Sequence, residues 1–340
     1  MYLTWCRDAT ARQNPGVTRF CRCWKASLMS LLDLSDRVVL VTGAGSGLGA
    51  SHARLLGALG AAVVVNDLGG AVDGSGSATS AADAVVAEIS AAGGRAVASY
   101  DSVASRDGAQ RIVGAALDAF GRLDGVVNNA GVLRDRSLPK LSVEDVELVI
   151  DVHLKGTIFV SQAAFPVMKE AGFGRFVHTA SSSGIFGNFG QTNYAAAKAG
   201  IAGFSRALAE EGARYGITSN VICPVARTRM TDELLGDLAD VLDPAAVSPL
   251  VAALLSPRCA VTRETFSAAG GRYARIFSGL TPGWLAGTGG TPDPEDVLAH
   301  LDAILDTTTY SVPVNANEEL MFLAQLLTGG EARVALGAAR

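Results

Sequence analysis

The sequence predicts a doubly wound α/β protein: a parallel sheet covered by helices on both faces. Three observations carry that expectation. From Asp36 onward, short runs rich in valine and isoleucine alternate with longer alanine- and leucine-rich segments of helical period. The short runs are apolar at nearly every position, the pattern of strands buried on both faces. No internal repeat or linker divides the region, so one sheet is expected to take all the strands.

In chain order, the expected strands are "RVVLVTG" (37–43), "AAVVVND" (61–67), "AVASYD" (96–101), "DGVVNNAG" (124–131), "RFVHTASS" (175–182) and "TSNVICP" (218–224). Helices are expected near 47–60, 79–92, 105–120, 142–171, 193–214 and 245–255. Residues 1–28 differ in texture: arginine-rich, bearing Cys6, Cys21 and Cys23, and without the apolar core of a secretory signal. They are expected to be a disordered leader, with Met29 as the working start, and a targeting peptide is the alternative. Residues 29–257 are expected to form the α/β domain. Residues 258–340 read as a C-terminal extension that completes the sheet, through "TFSAAGGRYARIF" as a last strand and hairpin, and covers the cleft or an interface.

Composition narrows the function classes. With 340 residues, 49% hydrophobic and 18% charged, the chain can bury a large core. A net charge of -5 and a pI near 5.4, without a basic run in the body of the chain, argue against a nucleic-acid or anionic-membrane surface. No uninterrupted apolar run reaches the roughly 18 residues of a membrane span. The five cysteines show no paired C-x-x-C spacing, so no metal site is expected and a reducing, cytoplasmic setting fits. There is no G-x-S-x-G and no G-K-[ST], which removes nucleophile-elbow hydrolases and P-loop enzymes.

The first strand runs into "TGAGSGLG" (42–49). Gly43, Gly47 and Gly49 suit a tight turn that lets backbone approach a pyrophosphate, with Ser46 and Leu48 in the same loop and a helix N-terminus behind it. Asp67 closes the second strand 18 residues past Gly49. This is the context of a Rossmann dinucleotide turn, and an acid there favours the ribose hydroxyls of NAD over the 2′-phosphate of NADP. Asp101, followed by Ser102, is placed either to bind the adenine amino group or to cap the next helix.

The second constellation is "GNFGQTNYAAAKAG" (187–200). Tyr194 and Lys198, four apart, share one helix face. A phenol near pKa ~10 is a weak base at neutral pH, and lowering it three units takes ~4 kcal/mol of phenolate stabilisation, which a lysine cation can supply. The alanines between them are expected to leave room for a dinucleotide to lie against the helix.

With the glycine turn, "NNAG" (128–131), a serine ahead of the tyrosine and Tyr194-x-x-x-Lys198 in order, the chain resembles the short-chain dehydrogenase/reductase superfamily over roughly residues 34–257. Within it, "VVVNDLGG" (63–70), "YDSV" (100–103), "NNAGVLRDRS" (128–137), "VHLKG" (152–156), "GNFGQTNYAAAK" (187–198) and "TRMT" (228–231) resemble the (3R)-hydroxyacyl-CoA dehydrogenase branch found in peroxisomal multifunctional enzymes and single-domain bacterial proteins. The resemblance implies secondary-alcohol oxidation with NAD and a homodimer or homotetramer. It makes Tyr194 the acid/base, Lys198 its partner and the ribose holder, and Ser181, 13 residues upstream, the substrate-oxygen ligand. It also implies that Asn128 stabilises the sheet beside the cofactor, that Ala130 and Gly131 admit the nicotinamide, and that Pro224 and Thr228 face its carboxamide or pyrophosphate.

Two departures stand out. His153 replaces the proton-relaying asparagine of the broad superfamily, and it acts either through its carbonyl or imidazole or as a packed histidine. "CPVARTRM" (223–230) has Pro224-Val225 where Pro-Gly is usual. Arg134 and Arg136 are either cleft or surface cations. Hydroxysteroids, 3-oxoacyl-carrier-protein reduction with NADPH, and a non-enzymatic dinucleotide-binding regulator remain the competing functions.

Overall fold

The computed structural model describes residues 32–71, 73–76, 79–226, 242–287 and 291–328. The expectations for residues 1–28 and for Thr228 fall outside them. The described chain forms two compact units, one ending at Arg275 and the other starting at Ile276.

The first unit is built on a sheet in the order β3-β2-β1-β4-β5-β6-β7-β8. Its strands are β1 (Val38–Thr42), β2 (Ala62–Asn66), β3 (Arg95–Ser99), β4 (Gly125–Asn128), β5 (Gly174–Thr179), β6 (Ile217–Val225), β7 (Thr265–Ala269) and β8 (Arg272–Ile276). β1 to β7 pair in parallel. Gly270 and Gly271, at φ 53° and 82°, make the two-residue turn between β7 and β8, conformations that side-chain-bearing residues avoid. The sheet therefore runs well past Pro257.

Helices cover both faces: α1 (Gly47–Ala58), α2 (Ser80–Ala91), α3 (Arg106–Phe120), α4 (Val143–Val149), α5 (Gly156–Ala171), α6 (Ser182–Phe186), α7 (Thr192–Gly212) and α8 (Ser248–Leu255). Alternate residues of each central strand divide between two cores. Val39, Val41, Val63 and Val65 pack with Leu56 of α1, Ile89 of α2 and Leu255 of α8. Val38, Leu40 and Val64 pack with Ile112 of α3, Met168 of α5 and Leu208 of α7. Each such aliphatic side chain contributes about 1.5–3 kcal/mol on burial, which is why the strands carry no polar face.

The helix expected over 142–171 is interrupted. Residues Ile150–Lys155 form a π-helical segment between α4 and α5. Taken together, Val143–Ala171 is a 29-residue helix long and apolar enough, by length and composition, to cross a membrane. Its Val160, Ala164 and Met168 are instead buried against the sheet, as in the core helix of a globular domain.

In the second unit, Leu280 and Ser311 exchange backbone hydrogen bonds at 2.9 Å, and Phe277 stacks on Tyr310. Trp284 stacks on His300 with centroids 4.1 Å apart. Three further helices follow in this unit, α9 (Pro294–Ala299), α10 (Leu301–Leu305) and α11 (Ala316–Thr328).

Candidate active site

The strand order reverses between β1 and β4, and a cavity of about 450 Å³ opens there at the carboxyl ends of the strands. It is lined by Gly43, Ser46, Gly47 and Leu48 of the glycine turn and by Asp67, Asp101 and Ser102 beyond β2 and β3. Ala130, Gly131, His153, Ser181, Tyr194, Lys198 and Pro224 complete the predicted residues within it. Gly49 and Asn128 are not among its lining residues.

The glycine turn is a fitted cradle. Gly43 has φ 62°, and a Cβ there would lie 2.7 Å from the Ala130 Cα. A Cβ on Gly49 would lie 2.1 Å from the Gly43 carbonyl oxygen, so this residue lets α1 close onto the strand rather than touching a ligand. Gly45, which the motif reading passed over, is held as tightly: its Cβ would strike the Asp67 carboxylate at 2.8 Å. The first turn of α1 carries no acid and its N-cap makes no side-chain capping bond, so its dipole is open to an anion. Asp67 accepts from Gly45 N at 2.7 Å and from Gly69 N at 2.6 Å, which fixes the acid at the end of β2. These residues fit a pyrophosphate and an adjacent ribose.

Asp101 does not cap the next helix. Ser105 is the cap of α3, accepting from Gly108 N at 3.1 Å, while the Asp101 carboxylate pairs with Arg111 at 2.6 Å. The Ser102 hydroxyl accepts from Ala104 N at 3.2 Å. Asn128 turns into the core, donating to Ser161 Oγ at 3.0 Å beside His178 Nδ1 at 3.1 Å. The asparagine that secures the cavity wall is its neighbour. Asn129 donates to the carbonyls of Thr42 and Gly43, and the hydroxyl of Thr179 donates to it at 3.4 Å. The doubled asparagine of "NNAG" was the available clue; which of the two faces the loop depends on the end of β4.

Three of the catalytic candidates meet on one wall. Ser181 caps α6, its hydroxyl accepting from Ser183 N at 3.2 Å, and the same hydroxyl acts to lower the pKa of the Tyr194 phenol. Lys198, 3% exposed, donates to the Thr179 carbonyl at 2.6 Å, with Nζ 5.5 Å from the Tyr194 ring centroid. Burial dominates both groups: it pushes the phenol up to about 12, against a lowering by Ser181, and the ammonium down to about 7. The expected depression of the phenol by a full lysine charge is therefore absent. Burial disfavours the charged form of both groups, so it weakens the lysine cation and favours the protonated phenol. Ala195, Ala196 and Ala197 do not line the cavity. Ala197 packs instead with Val132 and Val149 behind Tyr194, so that alanine serves the core rather than a ligand.

His153 sits in the π-helical segment, a feature frequent at functional sites. Its Nε2 lies 2.7 Å from the Val132 carbonyl oxygen, the shorter of its two contacts with that residue, and donates there. Its ring meets Tyr194 edge-on at 5.2 Å, and a Cβ on Gly131 would lie 2.3 Å from it. Burial, with the Lys198 charge beside it, holds the imidazole well below its usual range. Gly131 is thus required by the imidazole itself. His153 pins the β4 loop and backs the tyrosine.

A further polar cluster lines the cavity, through residues absent from the predicted set. Gln191 donates to Asp135 at 2.6 Å and accepts from Ser183 at 2.8 Å and Asn188 at 2.9 Å. Arg136 pairs with Asp145 at 3.3 Å.

The short chain dehydrogenase family pattern matches residues 37–238. A short-chain type dehydrogenase/reductase of Mycobacterium tuberculosis is 48% identical over 274 residues, covering 80% of this chain and 95% of its own. The peroxisomal multifunctional enzyme type 2 of Mus musculus is 44% identical over 302 residues, covering 88% of this chain and 41% of its own. The hydroxyacyl-CoA dehydrogenase ChsB1 of M. tuberculosis is 38% identical over 285 residues, covering 79% of this chain and 88% of its own. The solved full-length peroxisomal multifunctional enzyme type 2 of Drosophila melanogaster superposes with a TM-score of 0.74 at 37% identity, over 88% of this chain and 50% of that one. The chain therefore spans half or less of these two multifunctional relatives and nearly all of the short-chain type dehydrogenase/reductase. With the glycine turn, Ser181, Tyr194 and Lys198 gathered on one cavity, the chain belongs to the short-chain dehydrogenase/reductase family, an oxidoreductase acting on CH-OH groups.

Proposed function

We propose that the protein interconverts (3R)-3-hydroxyacyl-CoA and 3-oxoacyl-CoA with NAD. The observation that carries the reaction is the convergence of Ser181, Tyr194 and Lys198 on the cavity that also holds the glycine turn and Asp67. The acyl-CoA class rests on the relatives, which include a hydroxyacyl-CoA dehydrogenase and the multifunctional enzymes.

The residues divide the work as follows. The α1 N-terminus and the glycine turn would hold the pyrophosphate, and Asp67 would accept from the ribose hydroxyls. A bound nicotinamide supplies the hydride donor or acceptor and, when oxidised, a positive charge. Ser181 donates to the substrate oxygen and orients it toward Tyr194. In reduction, the phenol, protonated at neutral pH, gives its proton to the oxygen as hydride reaches carbon. In oxidation, Tyr194 takes that proton, which requires its pKa to fall far below 12; Lys198, nearby and titrating near 7, is the protein's own source of positive charge for this. His153 keeps the tyrosine in place. We further propose a homodimer or homotetramer acting in the cytoplasm.

The test is an oxidation panel of (3R)- and (3S)-hydroxyacyl-CoAs and hydroxysteroids, each with NAD and NADP. Turnover confined to steroids, or to NADP, sinks this assignment; 3-oxoacyl-carrier-protein reduction with NADPH is the outcome that would replace it. Tyr194→Phe should keep NADH binding and lose at least about 10²-fold in kcat.

A further inference from the structure

Near the residues that line the cavity, one cation and three carboxylates have settled partners, and a second cation does not. Arg136 is paired with Asp145, and Asp135 accepts from Gln191. Asp73, in the loop after β2, accepts from Ser75 N at 2.9 Å and from the Ser75 hydroxyl at 2.7 Å. Arg134 is left over. Its side chain makes no hydrogen bond or ion pair among the described residues, and its Nε is buried without a partner. A buried donor on a charged group is costly to leave unmade, and the fold provides three carboxylates nearby that are spent elsewhere.

Its position is fixed. The Arg134 carbonyl accepts from Asn193 Nδ2 at 3.2 Å at the start of α7, and the preceding Leu133 lines the cavity. Its charge is felt at Asp73, the neighbour of the cavity-lining Gly74. Arg134 is not itself a lining residue; it follows the lining Leu133, between the loop after β2 and the segment after β4, with its backbone held by the residue before Tyr194. The 2′-phosphate of a dinucleotide is read elsewhere, beside the acid that ends β2. A half-buried guanidinium with free donors is suited to bidentate contact with a phosphate.

We propose that Arg134 recognises a phosphate on the carrier half of an acyl thioester substrate, the part that runs out of the cavity while the reacting carbon lies at Tyr194. This rests on the acyl-CoA reading above and assigns it a specificity residue. The same phosphate chemistry is offered by coenzyme A and by the phosphopantetheine of a carrier protein.

The experiment compares acetoacetyl-CoA with the acetoacetyl thioester of N-acetylcysteamine, which has the same reacting carbon and no phosphate. Arg134→Gln should raise KM for the first by about 10- to 100-fold with kcat within about twofold, and leave the second unchanged. Arg134→Lys, which keeps the charge but not the fork, should recover part of the loss and serves if the glutamine variant folds poorly. Arg136→Gln should not discriminate between the two thioesters. Affinity for coenzyme A itself, measured by calorimetry on the NADH-loaded protein, should fall similarly in Arg134→Gln. A phosphopantetheine thioester tells which phosphate is read: a KM as low as that of the CoA ester assigns the pantetheine phosphate, a high one the nucleotide phosphates. Equal losses on both thioesters, or unchanged KM and coenzyme A affinity, overturn the proposal. If the parent protein reduces neither thioester, the acyl-CoA reading fails first, and the calorimetry still decides on Arg134.

Discussion

Replacing Lys198 by methionine should abolish turnover and, at neutral pH, stabilise the protein. The ammonium is buried, and its pKa falls from 10.5 to about 7. Because the folded value lies below the unfolded one, the unfolded chain binds more protons between these limits, and stability rises with pH across that window. At pH 7 the group costs about 4 kcal/mol relative to a neutral side chain; at pH 9.5 the cost is about 1.4 kcal/mol. Methionine has a similar shape and no charge, but it leaves the Thr179 carbonyl without its donor, a loss of about 1–3 kcal/mol at either pH. The variant should thus be about 1–3 kcal/mol more stable than the parent at pH 7 and level or less stable at pH 9.5. Tyr194 does not intrude: its pKa is raised from 10.0 to about 12, so its contribution is whole below 10 and is lost only as pH climbs through 12. Urea denaturation of both proteins at the two pH values reads the difference directly. A parent-minus-variant gap that stays constant from pH 7 to 9.5 would refute the buried-charge reasoning.

Other consequences follow from the same geometry. His52 and His178 are buried with pKa values near 3, below the unfolded 6.5, so their stability is present above 6.5 and lost as pH falls; between pH 7 and 5 they should remove about 4 kcal/mol, with His153 adding to the loss in the same direction, and His178→Gln should reduce the total loss in denaturation curves by about 2 kcal/mol. Gly131→Ala drives a methyl into the His153 ring and should cost about 1–3 kcal/mol in thermal unfolding together with weakened NADH binding; normal values for both would show that the ring has room to move. Asp124, 4% exposed, accepts from Val38 N and pairs with Arg37 and Arg122 at the opposite end of the strands. Asp124→Ala should therefore lower stability by about 2–4 kcal/mol while leaving KM unchanged, and a shift in KM would contradict its remoteness from the site.

Much of the site could be read without the fold because its cues are local. A Gly-rich turn between an apolar strand and a helix needs only backbone geometry, and Tyr194 and Lys198 share a face because four residues advance a helix by about one turn. The alternation of apolar strands with amphipathic helices likewise set the doubly wound sheet, through the requirement that both faces be buried. What the letters did not carry was direction. Asn128 and Asn129 are adjacent and chemically identical, and the strand pleat sends the first into the core and the second to the glycine turn. Asp101 sits close enough before α3 to cap it, yet Ser105 is the residue that meets the free N–H.

The sequence alone thus determined the layered architecture, the glycine turn and the sharing of one helix face by Tyr194 and Lys198, all products of short-range periodicity and spacing. Tertiary structure decided their electrostatics. The packing of α7 against the sheet dries Lys198 and Tyr194, lowering one pKa and raising the other, and no arrangement of letters states how much water a side chain keeps. It also decided which charge was left unpaired, since Arg134 and Arg136 lie two residues apart and only the fold brings Asp145 to one of them.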